Sequence, residues 1–158
     1  MATDGSSPQV PRWLRENGWA PDRDIGERAS ELIDVRMIDA ERQGAPLLPV
    51  EPAVEFVHRY GLLRLAHPKT ANLALVINPT VGYAGDAAEI SELADDLGKM
   101  LFPVGYEASE YGLILVDEEG RFFHLHHTGA YFLGSDENDT FERFLKGVDA
   151  PDAEDFFV

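Results

Sequence analysis

The sequence contains no cysteine. That excludes disulfides, cysteine-based zinc sites and a thiol nucleophile. Long apolar runs are missing as well. Stretches such as ALVI at 74–77 and LILV at 113–116 are strand-sized, against the roughly 18 residues a membrane helix needs. The opening MATDGSSPQV has neither a basic n-region nor an apolar h-region, so no signal peptide is read there and a cytoplasmic address is expected. Bases are scarce: 13 Lys+Arg stand against 29 Asp+Glu, a net charge of −16. The scarcity is uneven. Residues 1–84 hold 11 acids and 9 bases (−2), whereas residues 85–158 hold 18 acids and 4 bases (−14). Such a field repels nucleic acid and anionic membrane, and it attracts a basic protein. Solubility alone is the ordinary reason for acidity and stands beside that reading.

What is present is globular. In 158 residues, 44% are hydrophobic, enough for one domain with a real core. Residues 1–8 are rich in Gly, Ser and Pro. PQVPRWLRENG then reads as a short helix, with Pro11 in its first turn and Gly18 past its end. Asp24 is a candidate N-cap for a helix over about 25–43, whose stripe is Ile25, Ala29, Leu32, Ile33, Met37 and Ala40. A third helix carries Ala53, Phe56, Val57 and Tyr60. Residues 62–66 and 73–77 read as strands joined by the turn HPKTAN. Asp86 is placed as cap of a fourth helix, about 87–100. LFPVGY reads as a connecting segment. YGLILV and RFFHLHH form an expected hairpin around Asp117-Glu118-Glu119-Gly120, and TGAYFLG adds a strand. Asp139 and Glu142 stand in capping-box relation for a last helix closed by Gly147. The expected class is α+β: a mixed or mostly antiparallel sheet with helices on one side. The domain is drawn at 12–147, with 1–11 as a disordered N-terminal segment and 148–158 as an acidic tail.

Catalytic signatures are sparse. His124 and His126 share a strand face and two such histidines can chelate zinc. Phe122 shares that face, however, and no HExxH spacing exists, so partly exposed strand histidines, His127 included, are the plainer reading. Glu107 with Glu110 are carboxylates near each other, as general acid–base chemistry requires, in a chain where such pairs are common. Ser91 and Ser109 lack a GxSxG context. NPTVGYAGD is neither a Walker loop nor GxGxxG. No catalytic residue, metal or cofactor is therefore expected. The helix face Glu89, Glu92, Asp95, Asp96 is the sharper candidate, with the turn Asp117, Glu118, Glu119 as a second partner-binding group. Between residues 65 and 120 the only bases are Lys69 and Lys99. A helix face serving stability alone usually mixes in Lys or Arg at i+4.

Five segments, in order, resemble the SUKH superfamily, in particular its third group of immunity proteins from bacterial polymorphic-toxin systems. They are WLRENGWAPDRDI (13–25), PVEPAVEFVHRYGLL with VINP (49–63 and 76–79), ISELADDLGKMLFPVGY (90–106), LILVDEEGRFFHL (113–125) and FLGSDENDTFERFLKG (132–147). The His-rich strand and the acidic tail depart from that pattern. The resemblance implies an α+β fold, no catalytic site, and neutralisation of a cognate toxin by direct binding. It also implies that the toxin is often nucleic-acid-targeting and hence basic, with neither nucleic acid nor membrane as partner. Two other readings stay open: a regulatory or scaffold domain of the same superfamily, and a metal-dependent hydrolase using His124 and His126.

Overall fold

The computed structural model describes residues 9–158. Five helices, α1 (Gln9–Glu16), α2 (Glu27–Arg42), α3 (Glu51–Tyr60), α4 (Asp86–Leu97) and α5 (Glu137–Lys146), accompany six strands. The strands are β1 (Arg64–Ala66), β2 (Ala74–Val76), β3 (Leu101–Glu107), β4 (Leu113–Asp117), β5 (Phe122–His126) and β6 (Gly129–Gly134). A short 3₁₀ turn at Ala153–Phe156 follows. Each strand pairs antiparallel with the next, in the order β1-β2-β3-β4-β5-β6. The class is α+β, as the sequence implied, and the sheet is antiparallel throughout. Helix α1 begins at Gln9, inside the stretch expected to be disordered; residues 1–8 lie outside the described ones.

Cross-strand register sorts the two faces. Phe102, Val116 and Phe122 are successive partners, and Phe122 meets Phe56 of α3 edge-on at 4.9 Å. Phe56, Tyr60 and Phe141 pack together there with Trp13 of α1. Burying each such ring stabilises by roughly 1.5–3 kcal/mol. Leu115, Phe123 and Phe132 are partners on the opposite face. The C-terminal segment folds back over it: Phe156 stacks on Phe132 at 4.3 Å and meets Phe123 at 6.1 Å. The presumed tail is thus a strap across the sheet.

Both sheet edges are covered in part, which reduces the unpaired backbone that invites another chain. On β1, the Trp13 indole donates to the Ala66 carbonyl (2.7 Å) and the Ala66 N–H donates to Asn17 Oδ1 (3.2 Å). On β6, the Phe132 N–H donates to the Pro151 carbonyl (2.8 Å).

Several sequence expectations need correction. LFPVGY is part of the central strand β3 and not a connector. Its Pro103 and Gly105 argue against a strand, but a bulge lies between them. Gly105 also passes so close to β2 that a Cβ would stand 2.1 Å from the Val76 carbonyl oxygen. Asp24 does not cap α2; Gly26 does, and Asp24 accepts from the Gly26 N–H and sits 2.7 Å from His58 Nδ1. The cap of α5 is Asp136, which accepts from the Asp139 N–H at 2.7 Å. Asp139 instead accepts from the Ser135 N–H and from Arg143 Nε. Gly85 caps α4, and Asp86 lies inside its first turn, buried.

Candidate functional site

Helix α4 forms because Ala87, Ile90, Leu93 and Leu97 recur at helical spacing and are buried. Gly98, at φ 66°, ends it. The opposite face carries Glu89, Glu92, Asp95 and Asp96, all exposed. Glu89 lies in the first turn, where a carboxylate complements the helix dipole, and it accepts from the Tyr83 hydroxyl. Burial first, then that hydrogen bond and the surrounding negative charge, push the Tyr83 phenol well up, so it remains a donor.

Asp95 and Asp96 stand differently. They lie in the last turn, which has no base. Negative charge there opposes the dipole and costs about 0.3–1 kcal/mol. Among the described residues no ion pair reaches Glu92, Asp95 or Asp96. Lys99, just beyond, turns away to Glu119 at 3.5 Å. Helix stability therefore gives no reason for these carboxylates.

The turn between β4 and β5 splits the second predicted group. Asp117 is fully buried. It accepts from the Glu119 N–H, the Arg121 N–H and Arg121 Nε at 2.9, 2.9 and 2.7 Å. A carboxylate committed to shaping its own turn has no face left for a partner, so Asp117 drops out of the surface group. Glu118 and Glu119 remain exposed. Glu118 accepts from the Met100 N–H at 2.8 Å, which pins the turn to the start of β3. As a result Asp95, Lys99, Met100 and Glu118 line one shallow depression of about 280 Å³. Glu118 of the turn thus adjoins the acidic face of α4, an acidic ridge that runs to Glu89, while Glu119 beside it is paired with Lys99 and Arg121. Seven helical residues separate Glu89 from Asp96, roughly 10 Å of rise.

At the Glu89 end, Tyr83, Glu89, Glu110, Tyr111, Gly112, Leu125, His126 and His127 line a cleft of about 320 Å³. His126 presents Nε2 to Glu110 Oε2 at 2.9 Å and Nδ1 to Thr128 Oγ1 at 2.9 Å. His124 packs over Gly112, where a Cβ would clash with its ring. Burial, then the neighbouring His126, lower the His124 pKa. Among the described residues no group of three His, Asp or Glu is arranged to hold a metal. Glu107 serves the β3–β4 turn, accepting from the Ser109 N–H at 2.6 Å and from the Ser109 hydroxyl.

Behind the cleft lies a buried network that joins two helices. Arg36 of α2 and Asp86 of α4 are both buried and meet at 2.6 Å. Gln43 Nε2 donates to Asp86 at 3.0 Å, and the Tyr83 N–H donates at 3.0 Å. The sequence signal was there: Arg36 falls on the apolar stripe between Ile33 and Ala40, and a charge on a buried stripe requires a buried partner. The network ties the loop carrying Tyr83 to α2 and so sets the position of the cleft.

A family model described as SUKH-3 immunity protein matches residues 6–147. The chain belongs to the SUKH-3 immunity protein family. Searches of curated proteins and of solved structures found no match. The SUKH-3 match covers every helix from α1 to α5 and all six strands, together with the whole acidic ridge. The matched residues end at 147, where the strap begins. Among the described residues no helix is long and apolar enough to cross a membrane.

Proposed function

We propose that this SUKH-3 protein is a cytoplasmic, non-catalytic immunity protein that neutralises a cognate toxin by direct binding. The toxin is a basic protein, of the kind that holds nucleic acid, and the acidic ridge covers its substrate groove in place of phosphates. One observation supports this most: the last turn of α4 carries two carboxylates against its own dipole, with no ion-pair partner among the described residues. A cost of that kind is retained where charge serves association. Neither nucleic acid nor an anionic membrane suits a surface of this sign.

The test uses the product of the reading frame adjacent to this gene. It is expected to form a complex with the protein and to lose toxicity in it. The variant Glu92→Gln/Asp95→Asn/Asp96→Asn should associate about tenfold more slowly at low salt, with little change in dissociation rate and a flatter dependence on ionic strength. Binding that ignores both salt and the triple substitution would remove the ridge from the mechanism. Failure of the adjacent product to bind at all would remove the immunity reading itself.

A further inference from the structure

The cleft at the Glu89 end of the ridge has a makeup that bulk acidity does not require. Two tyrosines line it, Tyr83 and Tyr111, and they are 45% and 70% exposed. Tyr111 holds a left-handed backbone at φ 61°, which a tyrosine rarely adopts. Its ring is kept in place by stacking on Tyr106 at 5.8 Å. Two carboxylates, Glu89 and Glu110, share the cleft, and among the described residues no Lys or Arg lines it. Each carboxylate has a polar group behind it. Tyr83 donates to Glu89, and His126, whose side chain is 8% exposed, brings Nε2 within 2.9 Å of Glu110 Oε2, although among the described residues that nitrogen has no aligned hydrogen-bond partner. Across the floor of the molecule, Arg36 and Asp86 fix the Tyr83 loop.

Rigid aromatic faces beside pre-oriented carboxylates suit one kind of side chain. A guanidinium is planar, stacks on aromatic rings, and pairs with carboxylates through a fixed fork of donors. Lysine offers the charge without the plane. At about 320 Å³ the cleft is at the small end of ligand pockets, which run from roughly 300 to 1,000 Å³. That is room for one side chain delivered by a protein surface.

We infer that this cleft receives an arginine of the toxin, stacked on Tyr83 and Tyr111 and paired with Glu89 and Glu110. The inference rests on the immunity reading for the owner of the arginine; the chemistry of the cleft is tested without it. The probe is an acetylated, amidated Gly-Arg-Gly peptide titrated into the full-length protein and followed by backbone amide NMR. Parallel titrations use Gly-Lys-Gly and Gly-norleucine-Gly. Saturable shifts are expected at Tyr83, Glu110, Tyr111, Gly112 and His127. The lysine peptide should bind more weakly, and the norleucine peptide should leave those signals in place. Glu110→Gln, at a residue that is exposed and outside the core, should keep the amide spectrum of the fold and weaken the arginine peptide about three- to fivefold, the worth of one half-exposed ion pair. Tyr111→Leu, read the same way, should weaken the arginine peptide more than the lysine one.

Shifts of equal size along Glu92, Asp95 and Asp96 would mean that the peptide sees only bulk charge, and would overturn the assignment. So would the absence of any saturable shift, or an unchanged affinity in Glu110→Gln. If the toxin binds but the peptide does not, the immunity reading stands and the cleft is not its arginine site. If the peptide binds and the adjacent gene product does not, the cleft stands and its partner is another protein.

Discussion

Taking a guanidinium and a carboxylate out of water costs several kcal/mol per ion, offset only when every donor and acceptor is well placed. Asp86 is well supplied, accepting from Arg36, Gln43 and the Tyr83 backbone, whereas among the described residues Arg36 Nε is buried without a partner. Gly82 is part of the same arrangement, because a Cβ there would stand 2.1 Å from Asp86 Oδ2. The pair is therefore fragile to half-removal. Arg36→Met leaves a buried carboxylate without its partner and should destabilise by about 3–5 kcal/mol, read as a lowered urea midpoint. Arg36→Met/Asp86→Leu should recover much of that loss, because a buried pair is often replaceable by apolar packing. A double variant as unstable as the single one would mean that the charges, and not the packing, hold α2 to α4.

The strap is the element that family membership did not anticipate. Its acidic residues face solvent while Ala153 is buried and Phe156 is half-buried against Phe123 and Phe132. The Arg121 guanidinium lies over both Phe123 and Phe156, at 5.5 and 5.9 Å. At its end the Val158 N–H donates to the Asp96 carbonyl at 3.0 Å, so the strap also steadies the last turn of α4. Phe156→Ala should lower stability by about 2 kcal/mol, less than a fully buried ring would lose. A chain stopped at Gly147 should lose more and, with the β6 edge uncovered, self-associate. Urea unfolding and light scattering read the two effects. Unchanged stability in both would make the strap a passive appendage.

For the molecule as a whole, the charge of −16 favours solubility and opposes compaction by self-repulsion. Mild acidification relieves the repulsion; stronger acid removes specific support. Burial raises the Asp86 carboxyl, but hydrogen bonds from Arg36, Gln43 and the Tyr83 N–H more than reverse this and hold it below its ordinary value. Asp139 is likewise held low by the Ser135 N–H and Arg143 against the effect of burial. A carboxylate depressed in the folded state adds stability that is present above its unfolded pKa and lost as pH falls through the folded one. His124, whose pKa burial lowers, withdraws some stability as pH falls through the ordinary histidine range, and these carboxylates add a steeper fall below about pH 4, as read by circular dichroism across an acid titration. Asp139→Asn should make that fall shallower. A protein whose stability showed no further fall below about pH 4 would contradict the role given to Asp86 and Asp139.

Local pattern was enough for much of this. The stripe Ile90, Leu93, Leu97 located α4 and its acidic face, and Gly147, at φ 67°, ended α5 as its position implied. These are properties of one element, carried by its own 3.6-residue or two-residue period, and no other segment is needed to read them. The fourth helix was drawn to about residue 100, yet Gly98 ended it first. Asp117 looked solvated because its DEEG turn is polar, and only the packing of the turn buried it. Whether Asp136 or Asp139 capped α5 was settled by Ser135 and Arg143 competing for the second carboxylate. Arg36 and Asp86 are 50 residues apart, and Asp95 shares a depression with Glu118 only because Met100 and β3 bring the turn to the helix. Such meetings depend on strand register and on which buried group finds a partner. Those are choices made when the whole chain closes, and no period in the sequence encodes them.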